Sequence, residues 1–130
     1  MNKQQHILKW KSQAQEDWEA VEVLFAAKKY GHALFWAHLV CEKLSKALWI
    51  KYNEKNIPPR SHNLNFILSE VPIEVSNEHK ILMLRINQYN IMGRYPDDIE
   101  TLESKVSKEL GEKELNQINQ FKTWLLEQLQ

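Results

Sequence analysis

Eight polar side chains fall where a helical core would take apolar ones: Asp17, His38, Glu42, Lys46, His62, Arg85, Arg94 and Asp97. A histidine can carry a proton near neutral pH, and an arginine fork matches the oxygens of a phosphate or carboxylate. Their placement calls for a joint explanation. The most distinctive stretch is Arg94-Tyr95-Pro96-Asp97. Proline fixes its own backbone and pushes Tyr95 into an extended conformation, so Arg94 and Asp97 are held on a defined corner. Such a corner either locks a loop onto a bundle or presents Arg94 to an anion, and the sequence alone slightly favours the first. The candidate ligand-binding residues are Arg85, Arg94, His62, Asp97, Tyr95 and Lys46. Asp17 and Glu42 are the candidate structural polar residues, and no residue is assigned to catalysis.

Each has a plainer reading. Glu42 and Lys46 are four apart, the spacing of a routine ion pair worth about 0.2–0.5 kcal/mol. His62 follows two prolines and a capping Ser61, and can simply finish a turn. Asp17 lies on an apolar stripe between Ala14 and Val21, where a carboxylate loses hydration unless a donor or cation meets it. A buried Asp17–Arg85 pair would account for both charges.

Other chemistries lack their residues. A dimetal bundle needs Glu-x-x-His on two helices, and no Glu here has a His three positions later. The His-Glu-x-x-His zinc motif is missing, and Cys41 alone cannot anchor a structural zinc, so neither metal nor cofactor is expected. Glycines stand singly at 31, 93 and 111, which rules out a glycine-rich phosphate loop. Cys41 sits among apolar helix neighbours, where a thiol has a raised pKa and is a poor nucleophile.

The elements that must position these residues read as helices. Three glycines and four prolines leave little turn material, and apolar residues recur at helical spacing nearly throughout. A first amphipathic helix spans about Asn2 to Lys28 and ends at Tyr30-Gly31. A second, about His32 to Tyr52, is apolar on most sides and must be either central or shared with another subunit. Pro58-Pro59 stops it, and Ser61 caps a short third helix over about His62 to Ser69. A fourth runs from a Ser76 or Asn77 cap to about Met92, with Gly93 as its stop. Arg94 to about Val106 reads as a loop, and a last helix covers about Lys108 to Leu129, its first turn weakened by Gly111. This is an all-α class: an antiparallel up-and-down bundle of about five helices, four long and one short, in one domain over 1–130.

Lys+Arg and Asp+Glu are both 17, so no footprint for long nucleic acid shows in the totals. A single cysteine and no cationic-then-apolar leader point to a reducing cytoplasm. No apolar run is long enough for a membrane span, and a soluble protein is expected.

Four motifs in order resemble the HEPN family of small helical domains over almost the whole chain. They are Ala14-Gln15-Glu16-Asp17-Trp18, Ala37 to Leu48 with its Glu42-Lys43-Leu44-Ser45-Lys46-Ala47 core, Pro58-Pro59-Arg60-Ser61-His62-Asn63-Leu64, and Arg94-Tyr95-Pro96-Asp97. The resemblance implies a bundle of about five helices, a homodimer through the long apolar helices, and a minimal nucleotidyltransferase as partner. In the ribonuclease branch, an Arg followed about four to six residues later by a His builds a composite site across the dimer. Here Arg60, Arg85 and Arg94 have no such His, and His79 precedes Arg85. Without a base beside cationic phosphate ligands, ribonuclease catalysis is not expected. The implied role is a non-catalytic interaction module binding partners and a nucleotide or RNA end. The rival is a divergent, metal-independent ribonuclease of toxin-antitoxin type with His62 or His38 as base. A third role, Tyr95 or Tyr89 as acceptor of a transferred nucleotide, follows from relatives with a different tyrosine motif.

Overall fold

The computed structural model describes residues 1–130. It is all-helical, with α1 Lys3–Ala26, α2 Tyr30–Tyr52, α3 Leu64–Ser69, α4 Asn77–Met92, α5 Pro96–Lys105 and α6 Lys108–Gln128. The helices pack as a bundle around α2, which touches each of the other five. Ala33, Leu34, Ala37, Val40, Cys41, Leu44, Leu48 and Ile50 of α2 are buried on all sides within the one chain. The central position accounts for most of its apolar circumference, while Phe35, Trp36 and Leu39 of the same helix are half-buried. No helix is long and apolar enough to cross a membrane.

Side-chain caps set four of the helix starts. Asn2 and Gln5 form a reciprocal capping box on α1, while Asn63, Ser76 and Ser107 each accept a backbone N–H in the first turn of α3, α4 and α6. Each satisfies donors that a helix otherwise leaves without partners.

Three boundaries differ from the sequence reading. The stop of α1 is Lys28 in the left-handed region, φ 63°, with Lys28 N–H donating to Phe25 O and Lys29 N–H to Leu24 O. Those are the two bonds of a Schellman ending, made here without the usual glycine. Gly31 instead lies inside the first turn of α2, which starts at Tyr30. A Cβ there would come within 2.5 Å of Glu103 Oε1 and 3.0 Å of the Glu103 backbone nitrogen, so Gly31 makes room for α5. The third helix begins at Leu64 under Asn63, and Ser61 Oγ accepts the Asn63 N–H at 3.1 Å rather than capping the helix.

The expected loop from Arg94 to Val106 is replaced by α5. Pro96 does not block a helix; it starts one, at the first helical position where its missing N–H costs nothing. Asp97 and Asp98 occupy the positive end of the helix and Lys105 the negative end. Leu102 is buried, and Glu103 Oε1 accepts the His32 N–H at 3.0 Å, fastening α5 to the start of α2.

Candidate functional site: the His62–Arg94 cavity

The loop between α2 and α3 carries His62, and two residues of α2 fix it. His38 Nε2–H donates to the His62 carbonyl at 2.7 Å, since a carbonyl can only accept. That leaves His38 Nδ1 without a proton and without a hydrogen-bond partner. Burial pushes the His38 imidazole down to about 4, against the opposing pull of the Glu42 carboxylate 3.9 Å away, so His38 is neutral. One turn further on, Glu42 Oε1 accepts from His62 Nδ1 at 2.8 Å and Oε2 takes Lys46 Nζ at 3.0 Å.

Glu42 and Lys46 are 6% and 7% exposed, so their pair is no routine surface contact. A charge pair out of water is held only by good geometry, and removing one partner of such a pair costs about 3–5 kcal/mol. Lys46 therefore stands behind the site as the countercharge to Glu42 and does not line the cavity, contrary to its expected ligand role.

With Nδ1 committed to Glu42, the free nitrogen of His62 is Nε2, on a side chain that is 53% exposed. His62 lines a half-open cavity of about 230 Å³ with Ser61, Asn63, Asn87, Ile91 and Arg94. Arg94 reaches it from the end of α4. Its Nε (3.0 Å) and Nη2 both donate to Asn90 Oδ1, and Asn90 is itself buried. An arginine has five N–H donors, so this anchorage leaves others for an anion. Asn87 braces the opposite wall: its Oδ1 accepts the Leu64 N–H at 3.0 Å, and its amide donates to Asn63 and Asn65. A carboxylate-oriented imidazole facing a cavity shared with an anchored guanidinium can hold a phosphate: Nε2 donates to a phosphate oxygen when it carries a proton and can take one up when it does not.

The structure brings His62 and Arg94 together and separates the rest. Arg85 faces α6, with Nη2 on Gln117 Oε1 at 2.6 Å and Nε on Glu114 Oε2 at 3.4 Å. Tyr89 donates to the same Glu114 oxygen at 2.8 Å, and burial followed by that carboxylate drives its phenol upward. The Asp17–Arg85 pair is not formed. Asp17 Oδ2 lies 2.7 Å from Lys43 Nζ on α2, off the direction of a hydrogen bond, so their contact is one of charge. The reason is geometric: α1 packs along α2, and Arg85 belongs to the α4–α6 side. Tyr95 is 65% exposed and Asp97 sits exposed in the first turn of α5; neither lines the cavity. Cys41 is fully buried, and burial raises its thiol to about 12.

Sequence reasoning missed Asn90, Asn87 and Asn63. The available signal was Asn90 four residues before Arg94, in the last turn of the helix that leads into it, a spacing that lets the amide reach the guanidinium. No group of three His, Cys, Asp or Glu side chains is placed to hold a metal ion.

A family model described as HEPN domain matches residues 7–129. No curated protein and no solved structure gives a match.

Proposed function

Because the chain belongs to the HEPN domain family, we propose that it is a non-catalytic interaction module of that family whose His62–Arg94 cavity takes the phosphate of a nucleotide or RNA end. One observation carries this: buried Glu42 orients His62 so that Nε2 is left for the cavity that Arg94 also lines. Binding is favoured over turnover by what else lines the cavity. Cleavage by transfer to a 2′-hydroxyl needs a base and, for the departing oxygen, an acid. Ser61, Asn63, Asn87 and Ile91 supply no second titratable group beside His62 and Arg94.

The module works as one domain in the cytoplasm, as a homodimer alongside a minimal nucleotidyltransferase. With most of α2 covered by its own chain, α4 is the long helix that offers the more open apolar face for that dimer. Ile81, Leu84 and Ile91 support α4: they are 58%, 57% and 48% exposed on one side of that helix, and Ile91 also borders the cavity. Tyr95, exposed at the start of α5, is better placed than hydrogen-bonded Tyr89 to accept a nucleotide from such a partner.

Calorimetric titration with adenosine 5′-monophosphate and with a 5′-phosphorylated RNA oligomer tests the binding reading. His62→Ala and Arg94→Met each weaken both ligands about tenfold or more, whereas Arg85→Met leaves them unchanged. Equal binding by all three variants and the wild type overturns it. A second reading, a ribonuclease with His62 as base, is favoured by the Glu42–His62 hydrogen bond, which is how a carboxylate orients a catalytic imidazole. His38 cannot serve, being fully buried with Nε2 on a carbonyl. RNA cleavage that His62→Ala abolishes would establish that reading, and its absence from pure protein removes it.

A further inference from the structure

We propose that the groove beside Trp10 is a stacking site for an unpaired nucleobase, placed for an RNA strand whose phosphate lies between His62 and Arg94. This rests on the phosphate-binding reading above. The groove holds about 280 Å³ between Trp10 on α1 and Ile57-Pro58 in the α2–α3 loop, with His6 and Lys9 at its edge. Ile57 is 76% exposed, so nothing in the chain covers this apolar wall.

The composition selects the occupant. A half-buried indole and an exposed aliphatic wall accept a flat ring of any sequence, and Gln13 and Asn56 offer amide donors and acceptors to a base edge. Every charge lining the groove is cationic or can become so, and no carboxylate is present, which matches a strand that carries phosphates. An apolar peptide would use the walls but leave those cations and amides without partners.

A chain of contacts links the groove to the cavity. Lys46 Nζ lies 5.6 Å from the centre of the Trp10 ring, 3.0 Å from Glu42, and Glu42 in turn lies 2.8 Å from His62 Nδ1. The short segment from Pro58 to Ser61 runs from one site to the other. Pro58 and Ser61 line one site each and are three residues apart, so their Cα atoms are at most about 11 Å from each other. A strand of two or three nucleotides covers that span, which lets a base at Trp10 and a phosphate at His62–Arg94 belong to one strand.

The test measures affinity for a 5′-phosphorylated RNA pentamer and for ribose 5-phosphate, which has the phosphate but no base. Trp10→Ala and Ile57→Ser weaken the pentamer about tenfold, the loss expected for one base–aromatic stack. Trp10→Phe keeps most of the affinity, and ribose 5-phosphate binds all three variants as it does the wild type. Ile57→Ser changes an exposed side chain, so it carries the test even if Trp10→Ala does not fold. Pentamer affinity unchanged in Trp10→Ala and Ile57→Ser overturns the proposal, as does an equal loss for both ligands. Arg94→Met separates the two readings. If it alone weakens binding, the phosphate site stands and the stacking site falls; if only the groove variants do, the reverse holds.

Discussion

His38 ties acid stability to the loop that carries the site. Burial holds its folded-state pKa at about 4 against 6.5 for the free side chain, with Glu42 pulling the other way. Between those values the unfolded chain binds a proton on this imidazole that the folded chain refuses. Unfolding therefore takes up a proton, and acid draws the equilibrium towards the unfolded state. The His38 contribution is whole above pH 6.5, declines as pH falls through the window, and is gone below about 4. At about 1.4 kcal/mol per unit of pKa, the separation corresponds to about 3 kcal/mol. A domain of this size is stable by about 5–15 kcal/mol, so the loss is visible in any unfolding assay. The matched variant is His38→Gln, whose amide nitrogen sits where Nε2 does, can still donate to the His62 carbonyl, and does not titrate. Urea unfolding of both proteins from pH 7 to pH 4 removes the shared carboxylate background by subtraction. The wild type loses about 3 kcal/mol more than the variant over that range. Parallel profiles would refute the argument, because a histidine that enters the fold protonated contributes no such difference.

Asp17 and Lys43 should couple by about 1–3 kcal/mol in a double-mutant cycle using Asp17→Asn and Lys43→Met, while Asp17 and Arg85 show none; urea midpoints decide it. Lys28→Gly relieves a left-handed lysine at the end of α1 and should add about 1 kcal/mol, whereas a loss would mean that the Lys28 side chain does more than close the helix. Gly111→Ala should add about 1 kcal/mol as well, since its Cβ would meet Phe25 and Tyr30 at 3.5 Å, an ordinary contact; a lower melting temperature would show that the α6 start cannot absorb the methyl. Cys41 should resist iodoacetamide at pH 8 in the folded protein and react only on unfolding, and alkylation at the rate of a free thiol would contradict its burial.

Helix order was legible because α1, α2, α4 and α6 each show a long period in their apolar residues. The misreadings have local causes. Pro96 forbids a helix that runs through it but favours one that begins at it, and the sequence alone did not say which. Gly31 looked like a stop because its reason for being glycine, the approach of Glu103, lies 72 positions along the chain. Half of the site was legible in the same sense: His62 and Arg94 stood out as residue types. Arg85 was grouped with Arg94 because a separation of nine residues says little about which neighbour each side chain meets, and α6 claimed Arg85 through Glu114 and Gln117. Glu114 itself is 5% exposed on a helix whose apolar stripe gave no hint of it.

The two polar residues that look most expensive in the core, Glu42 and Lys46, explain why a loop histidine can hold a fixed orientation. A loop of two prolines and few side-chain contacts would leave His62 free to rotate, and a rotating imidazole presents either nitrogen to the cavity. Glu42 removes that freedom by accepting at Nδ1, but a lone carboxylate at this depth would have given up its hydration with no opposite charge to offset the loss. Lys46 supplies the opposite charge one helical turn away, and α2, the most buried helix, holds both at a spacing that cannot drift. Replacing the pair by apolar residues could leave stability nearly untouched, since buried ion pairs often break even against good packing. What it would remove is the choice of nitrogen at His62. The pair is thus better understood as part of the site than as part of the core, even though neither residue touches the cavity.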